Sequence, residues 1–275
     1  MIKLATKDMI PALKDLWVEA FSDPESYAMF FFDNRFDDID TYVYLVDSNP
    51  VSMAFVFQGE LYHNQKYIKA WYIYGVATSV SHRSKGYSTK VLEHIKDIYS
   101  TTFLVPATKR LFEFYGRNGY KVAFGVNEEK QCRGQLIMPN VSYGFETISP
   151  KEYKDIRDKI FGKEGYVMWD LKTIDYAIKE NTFLGGFAYK ISSLEEGISN
   201  KDIILFRYYE NELYIKETTL TGQKLYDVAA ILMNKNGITG CHIRLPINSS
   251  SEGRDFAMIS SAHEIENGYC NLVLD

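Results

Sequence analysis

The sequence has few cysteines, no excess of positive charge and no long apolar run. Its three cysteines, Cys132, Cys241 and Cys270, are odd in number and lack metal-ligand spacing, so we predict reduced thiols, no bound metal and a cytoplasmic protein. The net charge of −5 argues against general binding to nucleic acid or to an anionic membrane surface. No apolar stretch approaches the ~20 residues that a membrane span needs. Charges interrupt the N-terminal segment MIKLATKDMIPALKDLW, which is therefore not typical of a signal peptide.

The composition is that of a folded soluble protein. A chain of 275 residues can form one large domain or two ordinary ones. Aromatic residues make up 15 % of the chain, which predicts ring-rich cores and pockets and allows self-association into a homo-oligomer. No segment is of low complexity.

Periodicity predicts an α/β fold with a mixed sheet over residues 1–126. Asp8 is a candidate N-cap for a helix that contains Leu13 and Trp17, and a second short helix follows. Three alternating segments then predict antiparallel strands, and the third contains Gly75, which indicates a bulge or a close backbone approach. The rest of this half reads helix, strand, helix, strand. Residues 127–141 are predicted to be a connector or an added hairpin. Residues 142–275 loosely repeat the plan and end in the apolar segment GYCNLVLD, which predicts a closing strand.

The helix after the third strand begins with basic residues and a glycine, where an acidic or hydroxyl cap is usual. Arg83, Lys85 and Gly86 precede its first turn. The free N–H groups and the positive end of a helix dipole bind anions, and a glycine lets a phosphate approach the main chain. We therefore predict that this entrance binds a pyrophosphate group. It matches neither G-x-x-x-x-G-K-[ST] nor G-x-G-x-x-G, and an ordinary basic loop before a helix is the alternative.

Two motifs resemble those of the GNAT superfamily of N-acetyltransferases. The hexapeptide RSKGYS, residues 83–88, is similar to the family's acyl-CoA loop, [QR]-x-x-G-x-[GA], with Ser88 in place of glycine or alanine. Downstream, FYGRNGY is similar to the half-motif F-Y-x-x-x-G-[FY] and contains Tyr115. The tandem plan resembles the enhanced-intracellular-survival type, which has a catalytic GNAT domain, a second GNAT-like domain without the loop, and a sterol-carrier-like domain. We expect this chain to lack that third domain.

The resemblance implies a GNAT fold with a mixed, mostly antiparallel sheet, followed by a degenerate GNAT-like domain. Residues 1–126 would be the catalytic domain, 127–141 a connector, and 142–275 the second domain without a CoA loop. Acetyl-CoA would be the co-substrate, and its acetyl group would pass to a primary amine by direct attack through a tetrahedral intermediate. The implied cofactor-binding residues are Val76, Ala77, Thr78, Arg83, Ser84, Lys85, Gly86, Tyr87, Ser88 and Thr89.

Tyr115 is the implied catalytic residue, which would protonate the departing CoA thiolate. The usual pKa of a phenol, ~10, lies above that of a thiol, ~8.5, so a neutral tyrosine can donate to a developing thiolate. A core aromatic on a short helix is the alternative interpretation of Tyr115. Val76 is the candidate N–H donor to the oxyanion.

Several points stay open at this level. The base that deprotonates the amine has three candidates, Glu60, His63 and the C-terminal carboxylate of Asp275. The acidic segment Asp33–Asp40 could attract a cationic amine or be a solvated loop. A second hypothesis is a non-catalytic acyl-CoA sensor or assembly protein. A third is a phosphate-binding domain unrelated to CoA. The acceptor, a small-molecule or peptide amine, is not identified by the sequence.

Overall fold

The computed structural model describes residues 1–193, 201–247 and 253–272. These residues form thirteen strands and seven α-helices, numbered below in chain order. The chain divides into two compact units. Unit 1 consists of Met1–Leu61, Lys66–Ala123 and Phe256–Glu266, and unit 2 consists of Tyr62–Gln65, Phe124–Asp255 and Asn267–Asp275.

Unit 1 is an α/β layer whose strands lie in the order β1-β2-β3-β4-β5-β13. β4 and β5 are parallel, whereas β2 pairs antiparallel with β1 and β3, and β13 pairs antiparallel with β5. Its helices are α1 (Ile10–Phe21), α2 (Glu25–Arg35), α3 (Tyr87–Ile98) and α4 (Lys109–Arg117). Its strands are β1 (Ile2–Leu4), β2 (Asp40–Val46), β3 (Asn49–His63), β4 (Lys66–Thr78), β5 (Thr102–Leu104) and β13 (Arg254–Ser260).

Helices cover both faces of this sheet. Phe55 of β3 packs against the ring of Trp17 of α1 at 5.6 Å between centroids. Its neighbours Ala54 and Val56 point the other way and join a buried cluster with α3 and α4. We call this the α3 cluster; its buried members are Tyr42, Ala54, Val56, Ile73, Val91, Leu92, Ile95, Tyr99, Leu104, Tyr115, Tyr120 and Met258.

Unit 2 repeats the plan. Its sheet has the order β6-β12-β11-β10-β9-β7, in which β11 and β12 are parallel and flank α7 in sequence, as β4 and β5 flank α3. The apolar face of α7, including Leu225 and Val228, is buried. Its helices are α5 (Pro150–Phe161), α6 (Leu171–Phe183) and α7 (Gly222–Lys235). Its strands are β6 (Lys121–Cys132), β7 (Tyr143–Thr147), β8 (Val167–Trp169), β9 (Phe187–Ser193), β10 (Asp202–Tyr209), β11 (Glu212–Thr218) and β12 (Gly240–Pro246).

The units differ from the predicted domain boundaries, and one difference is that Tyr62–Gln65, placed by sequence in the first domain, belongs to unit 2. The segment Phe256–Glu266, placed by sequence in the second domain, belongs to unit 1, where Met258 pairs with Leu104 of β5. The predicted connector is strand over its first residues, because β6 continues to Cys132. The predicted closing strand GYCNLVLD shows only isolated bridges in its described part.

A buried ion pair lies in the core of unit 2. Arg157 Nε is 3.0 Å from Glu217 Oε2, and both side chains are fully buried. Tyr153 and Tyr269 donate hydrogen bonds to the same carboxylate at 2.9 and 3.0 Å. The guanidinium also donates to the carbonyl oxygen of Asn271 at 3.0 Å. Both charges therefore have several partners, which is the condition for burying an ion pair without a large net cost.

Candidate active site

β4 and β5 of unit 1 separate before β4 ends. Their parallel ladder joins Trp71 to Thr102 and Tyr72 to Phe103. β5 ends one residue later, whereas β4 continues to Thr78. The last part of β4 therefore extends past its ladder with β5, and its main chain lies where an extended ligand can pair with it.

Gly75 interrupts the regular geometry of β4, where the sequence predicted a bulge or a close backbone approach. Its φ is +59°, a backbone conformation that residues with a side chain rarely adopt. An added Cβ would also lie 2.7 Å from the ring of Phe55, so there is no space for a side chain here. Trp71 and Ile73 contact the α3 cluster at alternate positions, but the next contacting residue is Val76, three positions after Ile73. The alternation is therefore broken at Gly75, and Val76 lies on the face that carries α3.

The three predicted residues at the end of β4 are held by side chains of the same unit. Ser52 Oγ donates to the carbonyl of Ala77 at 2.8 Å and lies 2.9 Å from Thr78 Oγ1. Arg83 Nε donates to the carbonyl of Thr78 at 3.2 Å, so the loop folds back on the strand. Val76 is half-buried against the α3 cluster. Sequence reasoning missed Ser52, although a hydroxyl inside the apolar run VSMAFVF was the signal for it.

The predicted loop forms an open, uncapped helix entrance. Ser84 and Gly86 have φ of +62° and +76°, both left-handed. An added Cβ at Gly86 would meet nothing within 4 Å, so the space before α3 is open. No side chain caps α3, and its first turn holds no acidic residue. Lys85 is exposed, and α3 begins at Tyr87, with Ser88 and the next residue half-buried in its first turn. Backbone N–H groups at such an end have no partner within the helix.

Tyr115 lies in the α3 cluster together with Leu92 of α3, and Val76 packs against the same cluster. The side chain is 7 % exposed, and its ring meets that of Tyr120 edge to face at 6.0 Å. Burial, and to a smaller extent Tyr120, raise the pKa of Tyr115 well above its usual range. Among the described residues, none forms a hydrogen bond with its hydroxyl. The hydroxyl of Tyr115 therefore keeps its proton at physiological pH.

The candidate bases do not all lie in unit 1. His63 Nδ1 is 2.5 Å from Glu164 Oε1, and both residues belong to unit 2. Glu60 is half-buried on β3 in unit 1. Asp275 lies outside the described residues. Of the three candidates, Glu60 is therefore the one that unit 1 itself supplies.

The acidic segment Asp33–Asp40 is partly engaged by neighbours. Asp37 pairs with Lys7 at 2.7 Å, and Asp40 accepts a hydrogen bond from the hydroxyl of Tyr99. These two carboxylates have structural partners, which reduces the charge that the segment presents to a cationic amine.

The corresponding entrance in unit 2 differs from that of α3. Gly222 at the start of α7 also has a left-handed φ, +57°, and open space at its Cβ. The basic residue that follows, Lys224, pairs with Asp202 at 2.8 Å. The local positive charge of this entrance is therefore compensated, whereas Lys85 of unit 1 stands exposed.

The part of the chain that the structure describes contains no group of three or more His, Cys, Asp or Glu side chains that could hold a metal ion. Within the same ranges, no helix combines the length and the apolar character that crossing a membrane requires. The three cysteines are free thiols, of which Cys132 is exposed and Cys241 and Cys270 are buried.

Comparison with protein families matches residues 1–123 to the model described as acetyltransferase (GNAT) domain. Residues 1–123 are a GNAT domain. The match confirms the family inferred from the loop and from the Phe-Tyr motif, and it covers β4, α3 and Tyr115 of the candidate site. A comparison with curated proteins found no match.

Solved structures with the same fold cover nearly the whole chain. A probable N-acyltransferase from Enterococcus faecalis V583 is 13 % identical with a TM-score of 0.74, over 94 % of this chain and 72 % of that one. Eis1 from Mycobacterium abscessus is 11 % identical with a TM-score of 0.67, over 95 % and 73 %. A tandem GNAT protein from the clavulanic acid biosynthesis pathway is 9 % identical with a TM-score of 0.56, over the full length of both chains. The chain therefore has the tandem GNAT fold, as predicted.

Proposed function

We propose that this protein is an acetyl-CoA-dependent N-acetyltransferase that acts on a primary amine. Two features of one GNAT domain carry the proposal. β4 extends past its parallel neighbour β5, and the next helix, α3, has an open, uncapped start. A thioester carrier with a diphosphate needs both features, one for its extended pantetheine arm and one for its charge.

The diphosphate would bind the free N–H groups at the start of α3, around Gly86, Tyr87, Ser88 and Thr89. The helix dipole favours an anion there by about 0.3–1 kcal/mol. The exposed cationic side chain of Lys85, in a protein of net charge −5, adds a local attraction for the diphosphate.

The rest of the cofactor would follow the last part of β4. Its pantetheine arm would pair with the main chain of Val76, Ala77 and Thr78. Arg83 lies beside this end of the strand, where its side chain donates to Thr78 and ties the loop to β4.

The transfer would be a direct displacement. The lone pair of the amine attacks the thioester carbonyl carbon and forms the C–N bond, and the oxyanion of the tetrahedral intermediate accepts a hydrogen bond from the N–H of Val76. The C–S bond then breaks, and the thiolate takes its proton from the hydroxyl of Tyr115. The proton lost by the amine passes to solvent, and Tyr115 regains its own from solvent, so the products are an amide and CoA. Binding both reactants side by side supplies a large part of the rate.

The acceptor we propose is a small-molecule or peptide amine, and the protein would work in the cytoplasm, where its free thiols stay reduced. The partly engaged acidic segment and the half-buried Glu60 are the groups of unit 1 that could assist an amine, through charge or as a base.

The test is CoA release from acetyl-CoA with a panel of amines that contains aminoglycosides, polyamines, amino acids and a lysine peptide. We expect turnover above the hydrolysis rate with at least one class. Tyr115→Phe should lower kcat by about 10²-fold or more and leave the affinity for acetyl-CoA unchanged. If wild type and Tyr115→Phe both bind acetyl-CoA but neither turns it over, the result would support the sensor hypothesis. Absence of acetyl-CoA binding would overturn the proposal.

A further inference from the structure

An aromatic stack connects the acyl-CoA loop to the second strand of the sheet. The ring of Tyr87, the first residue of α3, stacks on that of Tyr44 of β2, with 4.4 Å between centroids and 24° between planes. Lys90 Nζ lies 5.6 Å from the Tyr44 centroid and 5.9 Å from the Tyr87 centroid, within the range of a cation–π contact. Tyr44 is half-buried and packs against the α3 cluster.

Arg83 ties the start of the loop to β4 through its hydrogen bond to Thr78, but the residues between Arg83 and α3 have less to fix their conformation. Residues 83–86 are exposed, and Ser84 holds a left-handed φ that an L-residue adopts only at a cost. No side chain caps the start of α3. The stack on Tyr44 therefore supplies, at Tyr87, a fixed point directly after the exposed loop.

We propose that Tyr44 is a positioning residue of the acyl-CoA site. By holding the ring of Tyr87, it fixes the first turn of α3 and keeps its free N–H groups pointed into the open space before Gly86. Tyr44 acts through Tyr87 and does not touch the ligand. The predicted effect on the affinity for acetyl-CoA rests on the proposed function. The ordering of the first turn of α3 does not, because it is a property of the ligand-free chain.

The first experiment measures amide hydrogen exchange over residues 84–91 without ligand. Loss of a stack of this kind changes a coupled equilibrium by about 3- to 10-fold, so Tyr44→Ala should speed exchange by about that factor at Lys90, whose N–H closes the first turn by donating to the carbonyl of Gly86 at 3.1 Å. Tyr44→Phe keeps the ring and should exchange like wild type. Phe21→Ala, which removes another partly exposed ring contact of unit 1, to Trp17 at 5.3 Å, is the matched control and should leave this segment unchanged. Unchanged exchange in Tyr44→Ala would overturn the inference.

The second experiment measures the Kd of acetyl-CoA by calorimetry and the kinetic constants with a turnover substrate. Tyr44→Ala should raise Kd and KM about 3- to 10-fold at constant kcat, and Tyr44→Phe should restore both. When Tyr44→Ala is combined with Tyr87→Ala, it should raise Kd and KM no further, because Tyr44 acts through the ring of Tyr87. Additive effects of the two substitutions would contradict the inference. If wild type itself does not bind acetyl-CoA, the proposed function fails, and the exchange result still decides the role of Tyr44.

Discussion

Replacement of Gly86 by glutamate separates the anion-binding role of the α3 entrance from its role in stability. The open space at Gly86 means that a side chain meets no neighbour, so the structural cost is the left-handed backbone alone, about 1–2 kcal/mol. A carboxylate at a helix N-terminus recovers about 0.3–1 kcal/mol from the dipole. We therefore expect Gly86→Glu to fold, with a free energy of unfolding lower by about 1 kcal/mol.

Binding of acetyl-CoA should respond far more strongly. At a hundred times its Kd, a ligand stabilises the native state by about 2.7 kcal/mol, which raises Tm by about 5–10 °C for a chain of this size. Repulsion between a carboxylate and a doubly charged diphosphate about 5 Å away costs about 1.7 kcal/mol of binding free energy even at the dielectric constant of water. Affinity then falls about 17-fold, and the stabilisation at the same ligand concentration drops from about 2.7 to about 1.1 kcal/mol.

The assay is thermal unfolding with and without acetyl-CoA, with ATP and NAD as control ligands. Gly222→Glu is the matched variant, because Gly222 also has a left-handed φ and open space at a helix start but lies in unit 2. It should keep the full shift with acetyl-CoA, and Gly86→Glu should lose most of it. A shift that persists in Gly86→Glu would refute the assignment of this loop to the diphosphate.

Three further predictions concern single groups. Because burial raises the pKa of Tyr115 above the usual value near 10, its hydroxyl keeps its proton, and kcat should not fall between pH 8 and about 9.5; a decline there with the fold intact would contradict its role as an acid. Glu217→Ala leaves Arg157 buried without its counter-charge and should lower the free energy of unfolding in urea by about 3–5 kcal/mol. Cys132 is exposed, whereas burial raises the pKa of Cys241 to about 12 and the remaining cysteine is also buried. A thiol reagent should therefore modify one cysteine rapidly in the native protein and all three after denaturation.

The sequence pattern predicted those features of the fold that depend on residues close together in the chain. The three alternating segments predicted antiparallel strands, which the structure shows as β2, β3 and β4. At both turns, Asp47-Ser48 and Asn64-Gln65, two successive residues have positive φ, the conformation that suits a tight hairpin. Gly75 was predicted to mark a bulge or a close backbone approach, and the structure shows a close approach to the ring of Phe55.

Long-range pairing accounts for most of what the sequence did not indicate. The membership of Phe256–Glu266 in unit 1 depends on its pairing with β5, which no local period encodes. β8 was missed because three residues are too few to show a period. Asp8 was a plausible N-cap, but α1 is preceded by a 3-10 turn and its N-cap is Met9.

The candidate site likewise contains residues that the sequence predicted and residues that only the structure revealed. The loop and Tyr115 were found from motifs whose residues are close in sequence. Tyr44 and Ser52 were missed, since each acts on the site from a different strand. Contacts of this kind appear only when the sheet order is known. Motif spacing therefore identifies the residues that would meet the ligand, and the structure adds those that hold them in place.

The most direct test of the account is a crystal structure of the protein with acetyl-CoA. We expect the diphosphate to lie within hydrogen-bond distance of the N–H groups around Gly86 and the thioester to lie between β4 and β5, with its sulfur in reach of the Tyr115 hydroxyl. A cofactor bound with its diphosphate away from α3, or with its sulfur far from Tyr115, would contradict it.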